Sequence, residues 1–343
     1  MIFFRTDSNS VIASGHIMRC ISIAKAFVKK GERVQFLISD SSSISMLNDA
    51  SMDYIILNSD WENLMSDVDK VMYIVKQETN PILFIDTYQI TREYVEKLNS
   101  SCYVVYLGSK QEYLGKIGMI INYSTCIDYN FYEKNYDENT KLLLGPSFAP
   151  LREEFQNINH LYNCIIKRVM ITTGNTDPYN IVLDIINAIF PIIKTHDITI
   201  DVVIGNMYKS KEKIGEKYGY CKNVVLHENV TKISELMDAS DLAISANGTT
   251  IYELAAIGVP IISFAMVNEQ VNSAESLYEL GVIDYCGNLL TSKDTVVNRI
   301  KDRLAYYINN NNDLLIIANK AKELIDGNGC EKIVNMLLKK PNI

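Results

Sequence analysis

The sequence predicts an α/β protein built from two doubly wound parallel-sheet domains facing each other across a cleft, and three observations carry that reading. Short β-branched runs alternate with amphipathic helical stretches almost from end to end, which is the rhythm of βαβ units. The rhythm pauses once, over Leu151–Lys167, and then restarts. At 343 residues the chain exceeds the size at which one hydrophobic core stops growing, so two domains of roughly 150 residues each are the natural division.

In the first half, strands are expected at Met1–Phe4, Val34–Ile38, Tyr54–Ile56, Ile82–Ile85, Tyr103–Tyr106, Met119–Ile121 and Leu142–Leu144, with helices between them. In the helix expected at Ile17–Lys29, Ile17, Ile21, Ala24 and Phe27 share a face and Gly31 supplies the stop. Arg152–Phe155 carries a helical pattern and is followed by a polar and aromatic stretch without period, read as the connection between halves. The second half then offers strands at Arg168–Thr172, Thr199–Ile204, Val224–Leu226, Leu242–Ser245 and Pro260–Phe264. Its helices are expected at Tyr179–Ile193, in a lysine-rich stretch after Ile204, and at Lys232–Met237, Thr250–Ile257 and Gln270–Leu280. From Lys293 onward two or three helices end in Met336-Leu337-Leu338, a candidate to pack back on the first domain. The expected division is a first domain over 1–155, a second over 165–325 and a helical tail over 326–343.

Composition excludes several function classes. A hydrophobic fraction of 48% with 22% charged residues is that of an ordinary globular protein. The net charge is −8 and the lysines are scattered, whereas a nucleic-acid partner needs a basic face, so no nucleic-acid partner is expected. The seven cysteines are widely spaced and form no C-x-x-C pair, which suggests neither a zinc knuckle nor a disulfide framework. Met1–Asp7 reaches a charge at Arg5 and lacks the apolar core of a signal peptide, and no apolar run approaches the length of a membrane span. These features predict a cytoplasmic enzyme without a membrane span.

Open parallel sheets bind ligands at the carboxyl ends of their strands, so the chemistry is sought in the strand-to-helix loops. The first, Arg5 to Cys20, joins Arg5, Asp7, small hydroxyl residues such as Ser14, Gly15 and His16 at the mouth of a helix that also carries Arg19. His16 in the first turn meets exposed amides and the positive end of the helix dipole, which favour the neutral ring and suit a general base. The plain alternative is that His16 caps the helix and packs against Met18; Arg5 and Asp7 in the same loop weigh against it.

The second loop, Ser245 to Pro260, runs a strand into Asn247-Gly248 and opens a helix on Thr249 and Thr250. Free amides at such a helix mouth form a ready diphosphate site, and Gly248 lets a phosphate approach the backbone. Glu253, one turn inside, can accept hydrogen bonds from ribose hydroxyls or can be a solvated helix residue. Gly258-Val259-Pro260 is a helix stop without chemistry. The third loop, Thr172 to Pro178 with Asn180 beyond it, brings Gly174 and Asn175 toward phosphates, while Asp177 before Pro178 reads equally as a helix cap. Two weaker loops follow strands: Asn268-Glu269-Gln270, whose amides can aim at a ligand, and Asp86-Thr87-Tyr88, whose Asp and Tyr can contact a sugar.

Arg5-Thr6-Asp7-Ser8 followed by Gly15-His16-Ile17-Met18-Arg19 resembles the N-terminal signature of the UDP-sugar hydrolases of the pseudaminic-acid pathway and of the related spore-coat polysaccharide proteins. Asp86-Thr87-Tyr88, Leu151–Phe155, Gly174–Asp177 with Asn180, Ser245–Glu253 and Asn268–Gln270 fall in that family's order, so the resemblance spans residues 1 to 285. It implies the GT-B fold, two Rossmann-like domains, metal-independent removal of UDP from a 2,4-diacetamido-2,4,6-trideoxy sugar, and His16 as the residue that activates water. The chain departs from the family in reading Leu107-Gly108-Ser109-Lys110 where an acidic pair is usual, and in carrying Asn175 for one glycine of a Gly-Gly-Thr-Asp turn. If that segment lines the sugar pocket, Lys110 places a cation where the relatives place carboxylates and alters the preferred sugar.

The expected chemistry is hydrolysis of a UDP-linked amino sugar at its anomeric centre, with His16 as base and Asp7 orienting the ring or the water. Arg5, Ser14, Gly15, Arg19 and Tyr88 are expected to bind substrate from the first domain. Gly174, Asn175, Asn247, Gly248, Thr249, Thr250, Glu253, Asn268 and Gln270 are expected to do so from the second. No metal or cofactor is expected, and no D-x-D follows a strand in a loop. A glycosyltransferase using the same donor loops, and a binder of nucleotide sugars without turnover, are the competing expectations.

Overall fold

The computed structural model describes residues 1–338 apart from positions 10, 13, 164, 206, 209 and 210. The chain divides into two units, Met1–Arg152 with the described part of Asn328–Ile343, and Glu153–Gly327.

The first unit holds seven parallel strands: β1 (Ile2–Thr6), β2 (Val34–Ile38), β3 (Tyr54–Ile56), β4 (Ile82–Asp86), β5 (Tyr103–Leu107), β6 (Met119–Asn122) and β7 (Lys141–Leu144). Their order is β3-β2-β1-β4-β5-β6-β7, so the winding reverses between β1 and β4. Alternate residues of β1 serve opposite faces, as the period of two requires. Ile2 and Phe4 enter one core with Ile17, Ile21 and Phe27 of the helix Gly15–Lys29, and Phe3 enters the other with Leu37, Val71 and Tyr94. Phe4 stacks on Phe36 at 5.1 Å and on Phe84 at 4.7 Å between ring centroids, one aromatic row across three neighbouring strands. The last helix, Gly329–Leu338, completes the first of these cores with Cys330, Ile333 and Val334.

The second unit repeats the plan with six parallel strands: β8 (Arg168–Thr172), β9 (Thr199–Ile204), β10 (Val224–Glu228), β11 (Leu242–Ala246), β12 (Ile261–Ala265) and β13 (Asp284–Asn288). The order β10-β9-β8-β11-β12-β13 reverses between β8 and β11. Sheets of this kind offer their ligand crevice at the carboxyl ends of the two strands where the order reverses.

Two boundaries differ from expectation, each for a local reason. Residues 153–163, expected to close the first domain at Phe155 and then to connect the halves, group with the second unit: Phe155 is buried, Glu154 accepts from Ser234 Oγ at 2.9 Å, and Asn163 donates to Asp241 at 2.8 Å. The helix expected from Tyr179 starts at Ile181, because Asn180 takes a left-handed conformation and Asp177 reaches forward to the amides of Ile181 and Val182. The tail is three helices, Lys293–Asn309, Asn311–Leu324 and Gly329–Leu338. The first two stay with the second unit and only the third joins the first unit. Among the described residues no helix is long and apolar enough to cross a membrane.

Candidate active site

In the first unit the reversal point is the pair β1 and β4, where Thr6 stands opposite Asp86 in register. The loop after β1 is fixed from below by buried charge. Arg5, 0% exposed, donates from Nε to Asp67 at 2.8 Å and from Nη1 to Asp7. Asp67 also accepts from the Tyr94 hydroxyl at 2.8 Å, and Asp7 accepts from the Ser39 amide at 2.7 Å and the Ser39 hydroxyl at 2.8 Å. Burial opposes the charge of Arg5, but the two carboxylates outweigh it and raise the guanidinium above its ordinary value. The Nη2 of Arg5 is buried and has no hydrogen-bond partner among the described residues. Arg5 and Asp7 thus pair with each other beneath the loop, with Asp67 and Ser39 as their further partners.

Above that pair, Ser8 bonds to Ser43 Oγ through its amide and hydroxyl, both at 3.0 Å, and Asn9 Oδ1 accepts from the amides of Val11 and Ile12. Ser10 and Ala13 lie outside the described residues. Ser14 and Gly15 are exposed at the start of the helix Gly15–Lys29, and the Ser14 side chain does not cap it.

His16 follows at once, 5% exposed, with Nδ1 2.5 Å from Asp86 Oδ1. Arg19, one turn on, donates from Nε to Asp86 Oδ2 at 2.6 Å and from Nη2 to Asp86 Oδ1, while Nη1 donates to the Tyr123 hydroxyl at 2.7 Å. Nη2 of Arg19 also lies 3.1 Å from His16 Nδ1. The ring of Tyr88, 63% exposed, stands edge-on to the imidazole at 4.7 Å. Burial pushes the Asp86 carboxyl up, but the charge of Arg19 and hydrogen bonds from Arg19 and His16 prevail and hold it below its ordinary value. An ionised carboxylate only accepts, so the proton between the two belongs to His16 Nδ1, and in a neutral ring the lone pair then falls on Nε2. Asp86, not Asp7, is therefore the residue that orients the imidazole.

The segment Leu107–Lys110 does not supply a free cation. Lys110 Nζ donates to the carbonyl of Ile90, in the loop after β4, at 3.0 Å and lies 2.9 Å from Glu112. Gly108 is required there: a Cβ would stand 2.4 Å from the hydroxyl of Tyr106, itself buried and accepting from the amide of Lys110.

In the second unit Thr172 of β8 and Ser245 of β11 are register partners at the reversal point. Beyond them Gly174 takes φ +78°, a left-handed conformation suited to glycine, and Asn175 is exposed. Thr173 bonds to the Tyr208 hydroxyl and to the carbonyl of Thr176, which shapes that loop. Asn247, 4% exposed, donates from Nδ2 to the carbonyl of Gln270 at 3.1 Å, and its Oδ1 is buried without a partner among the described residues. Gln270 Oε1 accepts from the amide of Met266 at 2.8 Å, and Asn268 Oδ1 accepts from Asn288 at 3.0 Å. Gly248 is extended, with φ −138°, and a Cβ on it meets nothing within 4 Å, so the fold itself places no demand for glycine there. The helix Thr249–Ile257 begins at that point with no side-chain cap and no acidic residue in its first turn. Thr249 is exposed, and Thr250 and Glu253 are half-buried.

The residues expected to act thus gather at two places, Ser14, Gly15, His16, Arg19 and Tyr88 in one unit and the Gly174, Asn247 and Gln270 loops in the other. Tyr123 and the partnership of His16 with Asp86 were not expected; each depends on a loop brought in from far along the chain.

No protein-family model matches the chain. It is 22% identical over 270 residues to an uncharacterized protein of Methanocaldococcus jannaschii, a match over 75% of this chain and 54% of that protein, so the chain spans about half that relative's length. It is 23% identical over 233 residues to the spore coat polysaccharide biosynthesis protein SpsG of Bacillus subtilis, covering 65% of this chain and 67% of that one. With the UDP-2,4-diacetamido-2,4,6-trideoxy-β-L-altropyranose hydrolase of Campylobacter jejuni it shares 24% identity over 287 residues, 82% of this chain and 97% of that one. Among solved structures, the UDP-GlcNAc 2-epimerase of Neisseria meningitidis superposes with a TM-score of 0.69 at 12% identity over 99% of this chain and 100% of that chain. MurG of Acinetobacter baumannii does so with 0.67 at 14% identity over 99% of both. The chain is a distant homologue of proteins named as UDP-2,4-diacetamido-altropyranose hydrolases and of SpsG, folded as two parallel-sheet α/β domains like the GT-B glycosyltransferases and epimerases.

Proposed function

We propose that the chain hydrolyses a UDP-linked acetamido-deoxy sugar without a metal, in the making of a nonulosonic acid or a surface polysaccharide. His16 Nε2 takes a proton from water, the water oxygen bonds to the anomeric carbon, and the bond from that carbon to the β-phosphate oxygen breaks. UDP departs with the electron pair. Amides already in place at the start of Thr249–Ile257 stabilise the charge that develops on it, and Glu253 holds the ribose. Gly174, Asn175, Asn247, Gly248, Asn268 and Gln270 shape the nucleotide loops, and Tyr88 flanks the sugar beside His16. The observation that carries this reading is the imidazole held through Nδ1 by a buried carboxylate, the arrangement a neutral base needs.

A glycosyltransferase that turns the same base on an acceptor hydroxyl is the second reading, supported by the likeness of fold to MurG. Incubation with UDP-2,4-diacetamido-2,4,6-trideoxy-β-L-altropyranose and with UDP-N-acetylglucosamine in water alone separates the two. Rapid release of UDP with no acceptor present supports hydrolysis; release only after an acceptor is added supports transfer.

A further inference from the structure

We propose that Arg19 is a positioning residue that keeps His16 neutral, by serving as the cation that the buried Asp86 carboxylate demands. The inference rests on the reading of His16 as a base. A carboxylate that is 1% exposed requires a compensating charge close by. Two groups can supply it, the guanidinium of Arg19 or an imidazolium at His16, and only the first leaves a lone pair on Nε2. Arg19 meets both carboxylate oxygens, and its remaining nitrogen is fixed by the Tyr123 hydroxyl at 2.7 Å, so the guanidinium is held at three points. Its Nη2 stands 3.1 Å from His16 Nδ1, where it opposes a second positive charge on the ring. A histidine paired with aspartate alone is drawn toward its charged form; the arginine cancels that pull and leaves the orienting hydrogen bond intact.

The other titratable groups around the cluster do not take over this balance. Cys20 on the same helix lies 3.3 Å from Asp86, Tyr106 comes from β5, and Tyr88 and Tyr123 come from the loops after β4 and β6. Burial pushes the Cys20 thiol and the Tyr106 and Tyr123 hydroxyls up, so all three stay neutral at ordinary pH. None of these groups is a cation, which leaves Arg19 and His16 as the candidates.

The chain has four histidines, so a sample labelled with ¹⁵N at histidine gives a readable spectrum of ring nitrogens, in which His16 is assigned by its loss in His16→Gln. In the wild type near neutral pH, His16 is expected to show a protonated Nδ1 and a bare Nε2. In Arg19→Gln at the same pH both nitrogens are expected to be protonated, with the second proton shed only at higher pH than in the wild type. Arg19→Lys, which retains the charge, keeps the neutral ring. A wild-type ring protonated on Nε2, or an Arg19→Gln ring that matches the wild type at every pH, overturns the proposal; the wild-type spectrum decides even if a variant fails to fold. No substrate is needed, so spectra as expected from a protein that releases no UDP would remove the hydrolase reading and leave this one standing.

Discussion

Nδ1 of His16 lies 2.5 Å from Oδ1 of Asp86, a residue 70 positions further along the chain. The contact exists because β1 and β4 are neighbours in the sheet, with Thr6 and Asp86 in register, so that the helix following β1 starts over the end of β4.

Asp86→Asn is expected to lower turnover by about two to four orders of magnitude while leaving UDP affinity unchanged, since an amide no longer holds the ring in the tautomer that a base needs. A pH titration of stability provides a second reading. The Asp86 carboxyl titrates below its ordinary value of 3.8 in the folded state, so its contribution is complete above that pH and is lost as pH falls through the lowered value. The acid limb of the stability curve is therefore expected to be shallower in Asp86→Asn. Equal turnover, or superimposable acid limbs, contradicts the assignment.

Arg5→Met leaves Asp7 and Asp67 buried with no cation between them, and breaking such a pair typically costs about 3–5 kcal/mol. The midpoint of urea unfolding is expected to fall accordingly. A loss under about 1 kcal/mol would mean that the carboxylates find another partner.

Gly108→Ala sets a methyl against the ring of the buried Tyr106, where overpacking costs about 1–3 kcal/mol. Thermal melting is expected to report the loss, with the preference between UDP-sugars unchanged because Lys110 is tied to Ile90 and Glu112. A shift in that preference would return Leu107–Lys110 to the substrate site.

Glu253→Ala is expected to weaken UDP binding about tenfold or more, the consequence of losing a hydrogen bond to a charged acceptor worth roughly 1.5–3 kcal/mol, while the melting temperature barely changes. Calorimetric affinity equal to that of the wild type removes Glu253 from the ribose.

Much of the architecture is legible because its strands are buried runs of β-branched and aromatic residues: β2, β3, β8 and β9 fall where the pattern places them. The strand β13 was not legible, since Asp284, Gly287 and Asn288 are poor strand formers; in the fold Asp284 is met by Tyr307 at 2.7 Å and by Arg303. Local chemistry pointed to His16 at the mouth of its helix. Its partner was not evident, because Asp7 is near in sequence whereas Asp86 is near only once the strand order is known. The partner of Arg5 was not evident for a related reason: Asp67, which the turn Leu64–Asp67 delivers to pair with it below the loop, is 62 positions away.

The central claim is that His16 activates the attacking water, and the most direct test is UDP release from UDP-2,4-diacetamido-2,4,6-trideoxy-β-L-altropyranose by the wild type and by His16→Asn, with UDP affinity measured alongside by calorimetry. The expected result is release by the wild type in water alone, turnover lower by about two to four orders of magnitude in the variant, and nearly equal affinity in both. Turnover in His16→Asn close to that of the wild type would contradict the account.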